Sequence, residues 1–171
     1  MRKIAVIIDD WFEDSEYKEP VKAFSEAGHE VIHVGLETGK TVTGKKENTP
    51  VIIDRKAEEC DTEEFDALLI PGGFSPDQLR AHEGPINFTK EFMKAKKPVF
   101  SICHGPQLLI SADCIRGRKV TGFTSIIQDI KNAGAEFLNS GVVKDDNLIT
   151  SRNPRDLPAF ISASLEKLDS I

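Results

Sequence analysis

The chain has 171 residues, 39% hydrophobic and 29% charged, and a formal net charge of −6. That length suits one domain, residues 1–171, with a sizeable core, and the acidic balance argues against a nucleic-acid partner, since phosphate binding needs a basic face. The same balance gives no reason to expect an anionic membrane, and no apolar run approaches the ~20 residues that span a bilayer.

"KIAVII" (3–8) is a continuous apolar strand of the kind buried on both faces of a parallel sheet. Its basic start lacks a long hydrophobic region and a small-residue cleavage site, so it reads as a first strand and not a signal peptide. Asp14 or Ser15 caps a helix running to Ala27, with Gly28 past its end. "HEVIHVG" is a second strand, and residues 37–54 alternate with turn signals as a short antiparallel excursion. "FDALLI" (65–70) is a third strand, ending at Pro71-Gly72-Gly73. A helix covers Pro85 to Ala95, "PVFSI" (98–102) is a fourth strand, and a helix follows from about Gly105 to Asp113. "KVTGF" reads as a strand and "SIIQDIKNAG" as a helix; "VVKDDNLITS" reads as a hairpin turning on Asp145-Asp146-Asn147. The last helix runs from Pro154 to about Leu168, with Asn153 as its cap. Strands alternating with helices predict an α/β sandwich with a mostly parallel sheet.

Three cysteines without close pairing, Cys60, Cys103 and Cys114, fit a reducing cytoplasm better than a disulfide framework. No CxxC and no His/Cys cluster has zinc spacing, so no metal is expected.

In an open α/β sheet, ligands bind at the carboxyl ends of the strands. Three loops leave such ends: "DDWFEDSE", "PGGFSPD" and "CHG". Cys103 sits at a strand-to-helix junction with Gly105 two residues on, a partial match to a nucleophile elbow, because Ser101 stands where that motif has glycine. The turn and the following helix N-terminus favour a thiolate; the alternative is a buried structural cysteine. His104 projects away from its neighbour at such an elbow, so it is poorly placed to take the Cys103 proton directly. Its backbone N–H is a natural oxyanion donor, and its imidazole is either an acid/base or a surface group. Gly72 and Gly73 form either a plain turn or an oxyanion- and substrate-binding turn, with the Gly73 N–H as donor. Glu13 and Glu16, spaced i, i+3, are either a solvated face or partners of the thiol. A carboxylate beside Cys103 raises the thiol pKa by repulsion, whereas a protonated one stabilises the thiolate by donating to it; a carboxyl partner should therefore have a raised pKa and titrate with the sulfur. Asp77 reads first as a cap of the next short turn.

Taken together, "FEDSE", "ALLIPGG", "SICHGPQLLI", "CIRGRKVT", "NAGAE" and "SRNPRDLPAF" resemble the ThiJ/PfpI superfamily, and its PfpI-like branch most, over about residues 3–168. The resemblance implies a flavodoxin-like, class I glutamine amidotransferase-like sandwich. It implies Cys103 as nucleophile, Glu16 near the sulfur, Glu13 as a second acid in that loop, and oxyanion amides from Gly73 and His104. It places on Asp77 the acid that pairs with His104 from a neighbouring subunit, where the family often carries Glu, and so implies a homodimer or higher homo-oligomer. Family activities include intracellular cysteine peptidases, glyoxalases and protein deglycases, and stress proteins with an oxidisable cysteine.

The leading expectation is a cytoplasmic, cofactor-free cysteine enzyme acting on methylglyoxal or on glycated proteins and peptides. The alternatives are a peptidase with a Cys103–His104–Asp77 triad and a non-catalytic redox sensor using Cys103.

Overall fold

A computed structural model describes all residues, 1–171. β1 (Lys3–Ile7), α1 (Asp14–Glu26), β2 (Glu30–Gly35), β3 (Thr41–Thr43), β4 (Pro50–Ile52) and β5 (Arg55–Lys56) come first. β6 (Ala67–Ile70), α2 (Ser75–Leu79), α3 (Glu83–Lys94), β7 (Val99–Ile102) and α4 (Pro106–Ser111) follow. β8 (Lys119–Val120), α5 (Ile127–Asn132), β9 (Glu136–Phe137), β10 (Val143–Asp145), β11 (Leu148–Ser151) and α6 (Leu157–Asp169) complete the chain.

Seven strands form one sheet in the order β10-β11-β7-β6-β1-β2-β5, parallel throughout except for β10 against β11. The inner five strands carry the flavodoxin-like doubly wound order, in which β1 has β2 on one side and β6, the third of the five in chain order, on the other. Alternation along each strand makes two cores. Ala5, Ile7, Leu68 and Ile70 pack with Phe92, Leu108 and Ile130 on the layer of α3, α4 and α5. Ile4, Val6, Ile8, Ala67 and Leu69 pack with Phe24, Phe160 and Leu168 on the layer of α1 and α6. This two-sided burial is why the strands read as continuous apolar runs. No helix is long and apolar enough to cross a membrane.

Several boundaries differ from the sequence reading. The N-cap of α1 is Glu13, with no side-chain capping bond, because Asp14 points instead to residues 46–49. Asp77 caps nothing: it lies inside α2, whose N-cap is Phe74. The 37–54 excursion is an antiparallel β3–β4 pair, but the chain then rejoins the main sheet as β5. The strand in "KVTGF" stays out of the main sheet and pairs in parallel with β9, an element the sequence reading lacks. Asn153 does cap, accepting from Arg155 N at 3.0 Å, and Gly28 takes the left-handed φ of +84° that ends α1.

Candidate active site

The loops leaving β1, β6 and β7 converge at one edge of the sheet. Register makes this possible: Ile70 lies opposite Ser101, and Ile102 opposite Ser151, so these strands end level. Cys103 then turns with φ +63°, a left-handed conformation that non-glycine residues rarely hold. The turn is fixed on both sides, by Cys103 N donating to Ser151 O at 3.0 Å and by Phe123 N donating to Cys103 O at 2.8 Å. Gly105 is required, since a Cβ there would lie 2.4 Å from Ser101 Oγ and 2.8 Å from Ile70 O. This is the strained strand-to-helix corner of a nucleophile elbow.

The first turn of α1 carries Glu16 to the sulfur. The side chain is fully buried; Oε1 accepts from Gly72 N at 3.0 Å, Oε2 has no hydrogen-bond partner, and the carboxyl interacts with the Cys103 thiol. Burial first, and the Glu13 charge second, push the Glu16 carboxyl up to about 8. Burial likewise pushes the Cys103 thiol up, with the Glu16 charge next, while the His104 N–H and Lys45 pull it down. Gly72 separates these groups by having no side chain: a Cβ would lie 2.4 Å from Glu16 Oε1, 2.9 Å from Cys103 Cβ and 3.0 Å from His104 N.

Glu13 is also buried, and it is paired. Lys45 Nζ lies 2.9 Å from its Oε2 and Lys46 Nζ 3.4 Å from its Oε1. The loop between β3 and β4 delivers both lysines because Asp14 holds it, accepting from Lys46 N at 2.9 Å, Thr49 N at 3.3 Å and Thr49 Oγ1 at 2.8 Å. Lys45 was not among the sequence candidates; a Gly-Lys-Lys turn inside a charged segment reads as a solvated tip. The only signal was its place in a loop that returns to the first strand.

Gly73 has φ +75°, and a Cβ there would lie 2.4 Å from Glu13 N. Its N–H and that of His104 donate to no other residue's backbone or side-chain oxygen, whereas the Gly72 N–H is committed to Glu16. Lys45, Gly73, Phe74, Asp77, His104 and Gln107 line a cavity of about 190 Å³. The His104 ring packs on Phe123 at 4.8 Å between centroids, and burial, then Lys45, hold its imidazole below the usual histidine range, against Asp77. Asp77 of the same chain thus shares the cavity with His104, but no hydrogen bond joins them. A wider cavity of about 680 Å³ lies by α3 and contains Cys60, whose thiol donates to Lys56 O at 3.3 Å.

Fold and corner together define a flavodoxin-like protein with a cysteine at its elbow. The DJ-1/PfpI family model matches residues 2–167, and the chain belongs to that family. It is 56% identical over 169 residues to General stress protein 18 of Bacillus subtilis (strain 168), covering 98% of each chain. It is also 56% identical over 168 residues to Protein/nucleic acid deglycase 2 of Escherichia coli (strain K12), again covering 98% of each. Among solved structures it superposes with a TM-score of 0.97 and 40% identity on a two-domain protein of Anabaena variabilis containing dj-1/thij/pfpi-like and ferritin-like domains, covering 99% of this chain and 48% of that one.

Proposed function

We propose that the chain is a cysteine-dependent enzyme acting on reactive carbonyls, on methylglyoxal or on the adducts it leaves on amines and thiols. The observation that carries this is the buried pair of Cys103 and Glu16. At neutral pH the carboxyl holds a proton. A proton on Glu16 removes the repulsion that would oppose a thiolate and lets the carboxyl donate to the sulfur instead. The name of the deglycase relative supports the same class, and the cavity of about 190 Å³ suits a three-carbon substrate better than a folded polypeptide.

The steps follow from the groups in place. Cys103 sulfur bonds to the aldehyde carbon, and the carbonyl electron pair moves to oxygen. That oxyanion meets the Gly73 and His104 N–H groups, and Glu16 protonates it. Glu16, now ionised, takes the proton from the same carbon and returns it to the neighbouring one, while the hydroxyl proton passes to the neighbouring oxygen, giving a lactoyl thioester. Water hydrolyses the thioester, releasing lactate and the thiol. Methylglyoxal and water thus become lactate; a hemiaminal adduct first breaks its C–N bond as its hydroxyl re-forms the aldehyde and the hydroxyl proton passes to the leaving amine, and the freed aldehyde follows the same course. His104 has no carboxylate bond within its own chain, and in this scheme Asp77 of a second copy orients it.

The test uses methylglyoxal freed of contaminants, without added thiol, and follows lactate by NMR together with amine release from a methylglyoxal-treated peptide. Lactate formation that Cys103→Ala abolishes is expected. No lactate and no amine release by the wild-type chain overturns the proposal; Cys103-dependent cleavage of peptide bonds in its place would make the chain a peptidase.

A further inference from the structure

We propose that Lys45 is a positioning residue for the Cys103 nucleophile: anchored on Glu13 and lining one cavity with Gly73 and His104, its ammonium is the fixed positive charge beside the reacting groups. This rests on the reading of Cys103 as the nucleophile.

The position of Lys45 is set by the fold. Its own N–H donates to Phe12 O at 2.9 Å, and Trp11 N donates to Thr43 O at 2.7 Å, so the loop is tied to the chain leaving β1 on both sides of Gly44. Gly44 admits no side chain, since a Cβ would lie 1.9 Å from Asp14 Oδ1. The Lys45 ammonium is then held from two directions, by Glu13 Oε2 at 2.9 Å and by the Phe74 ring at 5.7 Å to the centroid. An exposed ion pair gains little, but here the carboxylate side chain is only 8% exposed and the lysine 29%. An ordered, partly dry cation is screened less than a free one.

Four other charged groups, Glu16, Glu13, Lys46 and Asp77, stand around the two partners. Glu16 faces the sulfur from α1. Glu13 acts through Glu16, and Lys46 takes the other Glu13 oxygen. His104 offers the sulfur its N–H, and Asp77 faces the His104 ring from α2. Lys45 is the one cation acting on sulfur and imidazole alike. Burial works against its own charge, but Glu13, Cys103 and Glu16 outweigh burial and keep it protonated. Removing it moves both titrations in the same direction, upward. A merely structural lysine predicts no such joint shift.

The experiment compares wild type, Lys45→Met and Lys45→Arg. The rate of Cys103 alkylation by iodoacetamide is followed against pH by peptide mass spectrometry, with Cys60 and Cys114 as internal references. The His104 imidazole is titrated by NMR. Both midpoints are expected to rise by about one unit in Lys45→Met, the scale of a nearby opposite charge, and to return in Lys45→Arg. Should the methionine variant fail to fold, by thermal melting, Lys45→Gln replaces it. The assignment is overturned if either midpoint stays in place or if arginine does not restore them. Alkylation needs no carbonyl substrate. If both midpoints shift while no lactate forms, the proposed reaction falls and Lys45 stands; lactate with unmoved midpoints is the reverse.

Discussion

The two ends of α4 each carry a thiol, Cys103 before the helix and Cys114 after it. Burial comes first in raising both, and it takes Cys114 up to about 12. Each also has cations nearby: Lys45 for Cys103, Arg118 and Lys90 for Cys114. What differs is the proton's other possible home. Cys114 donates to Leu109 O at 3.3 Å, a carbonyl that cannot take the proton. Cys103 faces a carboxyl that can, and beside it lie two N–H groups that no carbonyl takes. The strain differs too. At the first end the left-handed residue is the cysteine itself, φ +63°; at the second it is Asp113, φ +49°, and the cysteine is relaxed. In the proposed reaction, the Cys103 thiol is made reactive by a partner that shares its proton, not by exposure or by a nearby cation alone.

The contrast can be broken in four places. The largest effect is expected from Cys103→Ala, with turnover falling more than about 10³-fold, against less than about twofold for Cys114→Ala; comparable losses at both ends, in the lactate assay, would erase the contrast. Next is Gly72→Ala, whose Cβ would press on Glu16, Cys103 and His104 at once. Urea titration should show a loss of about 2 kcal/mol and turnover should fall at least about 10²-fold, whereas Gly117→Ala, with open space around it, should cost about 1 kcal/mol of backbone strain and no activity.

Third is the pH dependence of stability. Glu16 is raised in the folded chain, so its contribution is full below 4.5 and is lost as pH rises through about 8. Glu16→Gln should flatten that decline, with an upper bound of about 5 kcal/mol; equal slopes for the two proteins in urea melts between pH 6 and 9 would show that the carboxyl is not held neutral. The smallest effect is at the Cys114 end. Asp113→Gly should relieve its left-handed strain and raise stability by about 0.5 kcal/mol, read as a small rise in melting temperature with activity unchanged.

Much of this was readable in the chain. The central strands β1 and β6 were legible because burial on both faces leaves them continuously apolar, and Asn153 and Gly28 announced helix ends through their own chemistry. The convergence of the three loops followed from the parallel sheet. Other features depended on distant partners. Asp14 looks like a cap, but Thr49 and the Lys46 N–H compete for its carboxylate and win. Lys45 is invisible as a site residue until the β3–β4 pair folds back over the chain leaving β1. β9, which the reading missed, is two residues, too short to show a period. Whether Glu16 would face water or sulfur could not be read from i, i+3 spacing, which fixes a face of the helix but not its neighbour.

The Asp14 carboxylate, finally, joins events that look separate. It sits in the first turn of α1, two residues from Glu16, and it fastens the loop bearing Lys45. Local unfolding of that loop therefore loosens the helix end as well, and the acid and the cation leave the sulfur together. In amide hydrogen exchange the N–H groups of Lys46 and Thr49 should open as one unit with those of the first α1 turn. Between such openings the thiol keeps both partners; during one it has neither, so the site is lost in one step and not by degrees.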